Sequence, residues 1–67
     1  MNAQLEMIAA LRALRAAAFH VTELCDQALL GTDQDARVAL RTLPRGIRVL
    51  HTRAQRALTA LEAEEQG

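Results

Sequence analysis

The chain predicts an all-α fold: an antiparallel helical hairpin, its second helix kinked at Pro44, pairing with a second copy into a four-helix bundle. Three observations carry this expectation. Ala, Leu and Arg dominate the 67 residues, while β-branched and aromatic residues are scarce. The first group are strong helix formers and the second are what strands favour. Apolar residues recur at three- and four-residue spacing over two long segments. Between those segments, at "LLGTDQD", one glycine is followed by residues that cap helices.

The first helix is expected over about residues 3–30. At about 100° per residue, Met7, Leu11, Leu14, Ala18, Val21, Leu24, Cys25, Ala28 and Leu29 share one side, joined by Ala10 and Ala17. That side is the expected core. Glu6, Arg12, Arg15, His20, Glu23, Asp26 and Gln27 lie mostly outside it. A turn over 31–33 follows. Gly31 is the expected C-cap, because glycine adopts the left-handed conformation at low cost. Thr32 or Asp33 can then cap the next helix, with Asp33 and Asp35 near its positive end. So short a turn folds the second helix back along the first.

The second helix is expected over about 33–64. Leu40, Leu43, Ile47, Leu50, Ala54, Ala57, Leu58 and Leu61 fall within roughly one third of its circumference. Arg37, Arg41, Arg45, Arg48 and Arg56 fall opposite, and Arg53 lies at the margin. The phase of the pattern survives across Pro44, which favours one kinked helix. The alternative is a break at Leu43, with Pro44 opening a third helix. Glu62, Glu64 and Glu65 oppose the helix dipole, so the last turns are expected to fray.

Residues 1–67 thus read as a single helical-hairpin domain. A chain this short supplies only about 3–5 kcal/mol from one core and needs a staple. Cys25 is the only cysteine, so no disulfide closes within the chain. Cys25, His20 and His51 are the only soft ligands and are not at zinc-finger spacing. No metal and no cofactor is expected. Self-association is the remaining common staple, hence the expected homodimer.

No apolar run is long enough for a membrane span. Glu6, Arg12 and Arg15 interrupt the N-terminal apolar segment, unlike a signal peptide. One unpaired thiol fits a reducing compartment, and the protein is expected to be cytoplasmic.

Net charge is zero but unevenly placed. Residues 1–36 carry two Arg against five acids, and residues 57–67 carry three acids and no base. Residues 37–56 carry six Arg and no acid. The direction of these arginines is that of the solvated side of an amphipathic helix. Exposed helices ordinarily mix Glu with Arg at i,i+4 for mutual support, so the acid-free stripe reads either as a solvated face or as the face for an anionic partner. A second stripe, Leu5, Ile8, Phe19 and Leu30, lies away from the expected core among Arg12, Arg15, Glu23 and Asp26. Several apolar residues on one exposed stripe suggest a contact surface.

The expected partner-binding residues are therefore Ile8, Arg12, Arg15, Phe19, Arg37, Arg41, Arg45, Arg48 and Arg56. Cys25 lies in the apolar stripe without a base beside it and no Gly-rich phosphate loop is present, so no catalytic residue is expected. The expected function is a small non-enzymatic interaction module that binds a protein with an acidic surface. It belongs with the regulators, inhibitors, anti-activators and co-chaperones that bacteria and phages make as short helical chains. The alternative is a small DNA- or RNA-binding regulator that lays the Arg37–Arg56 face on phosphates. Zero net charge and the absence of Tyr and Trp for stacking weigh against it. A helix-turn-helix reading of "TELCDQALLGTDQDARVALR" fits poorly, because the second helix runs far past the length of a recognition helix.

Overall fold

The computed structural model describes residues 2–66. Met1 and Gly67, the ends of the expected 1–67 domain, lie outside the described residues. Two helices, α1 (Ala3–Leu30) and α2 (Asp33–Gln66), pack along their length, and the described residues contain no strand. The molecule is a rod of 51 × 15 × 13 Å, the length of one 34-residue helix at about 1.5 Å per residue.

Each helix begins on a side-chain cap. The Asn2 carboxamide oxygen accepts from the Gln4 amide at 2.9 Å, ahead of α1. At α2 the capping is reciprocal. The Asp35 amide donates to the Thr32 hydroxyl at 3.1 Å, and the Thr32 amide donates to the Asp35 carboxylate at 2.9 Å. This is a capping box, with Thr32 as the N-cap and aspartate in the place usually held by glutamate. Only Gly31 and Thr32 separate the helices.

Gly31 caps α1 as expected, but for a different reason. Its φ is −92° and its ψ −168°, extended rather than left-handed, and its amide donates to the Gln27 carbonyl at 3.0 Å. What excludes a side chain is space. A Cβ there would lie 2.7 Å from the Gln27 carbonyl oxygen and 2.6 Å from the Asp35 carboxylate that closes the capping box. The cap of one helix is thus pressed against the end of the other.

α2 is continuous through Pro44, so no third helix begins there. It also stays helical to Gln66, past the three glutamates expected to fray it.

The helices meet along a regular seam. In α1 the buried and half-buried residues are Met7, Ala10, Leu14, Ala17, Val21, Leu24 and Ala28. In α2 the seam runs Ala36, Ala39, Leu43, Gly46, Leu50, Arg53, Ala57 and Ala60. Both rows alternate three- and four-residue steps, the spacing of the a and d positions of a coiled coil. The seam lies rotated by roughly 50° around each helix from the centre of the expected core. Leu11, Ala18, Cys25 and Leu29 of α1, and Leu40, Ile47, Ala54, Leu58 and Leu61 of α2, were expected inside and are exposed. The reason is size. Alanine and glycine cluster on one edge of each apolar arc, and contact through that edge brings the backbones closest together.

Gly46 sits in the seam, but packing does not demand it. A Cβ there would meet Val21 at 3.4 Å and Leu24 at 3.6 Å, ordinary contact distances. The two glycines therefore predict opposite outcomes. Gly31→Ala should destabilise by about 1–3 kcal/mol through forced overlap. Gly46→Ala should stabilise by about 0.5–1 kcal/mol, because glycine inside a helix is costly relative to alanine. Chemical denaturation followed by far-ultraviolet circular dichroism measures both.

Candidate functional site

Seam residues split the rod into two flanks. A residue that precedes Leu14, Val21, Leu43, Leu50 or Ala57 lies on one flank. A residue that follows Ala10, Ala17, Ala39, Gly46, Arg53 or Ala60 lies on the other. Residues of both helices line common hollows on the first flank, among them Ala16, His20, Thr42 and Val49. The second flank carries Leu11, Ala18 and Cys25 of α1 beside Leu40, Ile47, Ala54 and Leu61 of α2.

The second flank is apolar and open. Leu11 is 50 % exposed, Leu40 61 %, Ile47 53 % and Leu61 40 %. Half-buried Leu14, Val21, Leu43 and Leu50 extend it inward. Among the described residues twelve large apolar side chains are exposed, against three buried hydrophobic residues, of which two are alanines. A single hairpin thus leaves most of its large apolar side chains in water, more than scattered exposure accounts for.

The first flank is basic. Ala9–Thr22 of α1 and Arg37–Leu61 of α2 contain no acid. The Arg53 guanidinium donates across the seam to the Ala13 carbonyl at 2.9 Å, so these segments lie side by side. The acids sit at the two ends of the rod. Glu6, Glu62, Glu64 and Glu65 flank the chain ends, and Glu23, Asp26, Asp33 and Asp35 flank the turn. Among the described residues the only ion pair joins Arg37 to Asp33 at 2.9 Å, and both side chains are well exposed. Such a pair contributes about 0.3–0.5 kcal/mol.

The sequence-predicted contact residues do not form one surface. Ile8, Arg12 and Arg15 come together with Leu11 and Leu14 around a shallow hollow of ≈ 410 Å³ at the edge of the apolar flank. Arg45, Arg48 and Arg56 gather with Val49, Thr52 and Arg53 around a second hollow of ≈ 330 Å³. Phe19, 65 % exposed, stands on the back of α1 away from both. Arg41 stands on the back of α2, and Arg37 is held by Asp33 near the turn. The hairpin therefore sets Phe19 and Arg41 on opposite outer sides, since each lies opposite its own seam.

The sequence sets Arg53 at the margin of the arginine face but does not show its seam role. Arg53 occupies a seam position among alanines and leucines, half-buried, with its fork on a backbone carbonyl of the other helix. Its one signal is the three/four spacing that runs through Gly46, Leu50 and Ala57. Among the described residues no three of His, Cys, Asp or Glu are placed to share a metal ion. No helix is long and apolar enough to cross a membrane.

The chain matches no family model, no curated protein and no solved structure.

Arg53→Ala should lower stability by about 1–2 kcal/mol, through the lost cross-helix bond and the lost packing of the arginine stem. Arg56→Ala, which removes no cross-helix bond, should stay within about 0.5 kcal/mol of the parent. Paired denaturation curves test the contrast.

Proposed function

We propose that this protein is a small non-enzymatic interaction module, working in the cytoplasm as a homodimeric four-helix bundle that presents arginines to an acidic partner protein. The observation that carries the reading is the open apolar flank beside a seam of small residues. The flank runs along a rod 51 Å long, room enough for a second hairpin to lie along it. A second copy is the occupant that also supplies the missing core, because two such flanks face to face bury Leu11, Leu40, Ile47 and Leu61 of each chain. A bend of α2 at Pro44, which removes one helix hydrogen bond, belongs to the same proposal and fits the flank to its twin.

Such a dimer leaves the basic flank outward on both sides, together with the backs of the helices. Arginine suits this role. It is always charged, and its planar fork grips carboxylates in pairs of hydrogen bonds. The partner is a regulator's target, bound through arginines that steer and apolar contacts that hold. Phosphates of DNA or RNA are the second reading, favoured by the acid-free stretch Arg37–Leu61 alone. Under that reading Arg48→Glu abolishes a binding that falls steeply with salt.

The test of assembly is the mass in solution. The parent should elute as a dimer in size-exclusion chromatography with light scattering. Leu40→Arg with Ile47→Arg should give a monomer of reduced stability. Phe19→Arg, on the back of α1, should leave both mass and helicity unchanged. A monomeric parent at high concentration, or a dimer that survives the Leu40–Ile47 double substitution, removes the bundle from the reading.

A further inference from the structure

The three hollows on the basic flank are one groove. The two that lie between the helices, of ≈ 380 and ≈ 230 Å³, both touch Arg53, as does the hollow of ≈ 330 Å³ on α2. Arg45 joins the first to the third, and Arg56 the second to the third. The floor is mostly apolar, made by Ala10, Ala13, Ala17, Gly46 and Val49, and the Arg53 side chain crosses it to reach the Ala13 carbonyl. The α2 side of the rim is cationic, with Arg45 and Arg56, and the α1 side is Ala9, Ala16 and His20. From Ala9 to His20 the groove runs about 16 Å, three turns of a helix.

We infer that this groove is the bed for one acidic amphipathic helix of a partner protein. The inference rests on the proposed acidic-partner reading and names the element that binds. Two properties select the ligand together. The rim has no carboxylate along its length, so an occupant rich in Asp and Glu meets only complementary charge. The floor bears methyl-sized groups, so an occupant that buries small apolar side chains lies close against both helices, as a third strand of the coiled coil would. A phosphate backbone satisfies the rim and leaves the apolar floor unused. Pro44 and Gly46, the two poorest helix formers, flank Arg45 in the middle of α2. Gly46 is not required by the seam, and it lines the groove beside Arg45. Local sequence and global fold disagree at this step, as they do at functional sites.

The test uses the full chain, isotopically labelled for NMR. The probe is a synthetic three-turn helix with Ala and Leu on one side and Glu on its flanks, compared with the same peptide carrying Gln for Glu and with a short DNA duplex. The acidic peptide should shift the amides of Ala13, Ala17, Gly46 and Val49 and leave Leu40 and Leu61 unmoved. Gln for Glu should weaken binding by at least about tenfold, and so should Arg45→Glu with Arg56→Glu in the protein, with circular dichroism unchanged. The inference is overturned by absent shifts, by shifts confined to the apolar flank, or by binding kept in the charge-reversed protein. It is equally overturned if the duplex shifts these amides more tightly than the peptide. Dimer mass is read in parallel, so loss of the groove and loss of the bundle are told apart.

Discussion

Two rows of mostly small side chains, stepping alternately three and four residues, hold the hairpin together. They let the helices approach closely, and they set everything else by exclusion. Because Ala10, Ala17, Ala39, Gly46 and Ala57 alternate in the contact with Leu14, Leu24, Leu43 and Leu50, the remaining large apolar residues are left outside it. Leu11, Leu40, Ile47 and Leu61 are displaced to one flank, and Arg45, Arg53 and Arg56 gather on the other. A protein that placed Leu11, Ile47 and Leu58 between its helices would spend its apolar surface internally. This one keeps that surface available, and the small seam is the cause.

The same constraint explains what could be read in the sequence. Periodicity reports which residues lie on the apolar arc of a helix, and here it correctly reads an all-α chain of two helices joined at Gly31. It does not report which part of a wide arc meets the neighbour. The arc of α2 runs from Leu40 through Leu43 to Ala57, and hydrophobicity weights its middle. The helices meet instead at its edge, because distance of approach is set by side-chain size, a quantity that hydrophobicity does not carry. Ala39 and Gly46 were therefore overlooked while Leu40 and Ile47, their neighbours in the chain, were expected inside. The seam role of Arg53 was invisible for a related reason. Charge argues for solvent, but its long stem crosses the seam and its fork finds the Ala13 carbonyl. The turn shows the reverse case. Gly31 was legible as a cap, although the cause is crowding by Asp35 and the Gln27 carbonyl rather than backbone handedness.

Charge organisation is the least local property of the chain. Its sum is zero, and that sum hides a basic middle between acidic ends. Only folding the chain back at Thr32 lays the acid-free part of α1 beside the acid-free part of α2. α2 alone already carries an acid-free arginine stretch. The pair has a groove whose floor is mostly apolar and whose α2 rim is positive, and that combination makes the chemistry of a ligand arguable from so short a sequence.

The two-residue turn also decides how the rod answers to force. It places the start of α1 and the end of α2 side by side, with the fold-back at the far end. Tension applied to those two ends opens the seam like a zip, one heptad after another, so that at any instant only a few contacts resist. The reciprocal bonds of Thr32 and Asp35 are reached last. A load hung between the two chain ends therefore meets a soft element that yields gradually and recloses from its intact turn.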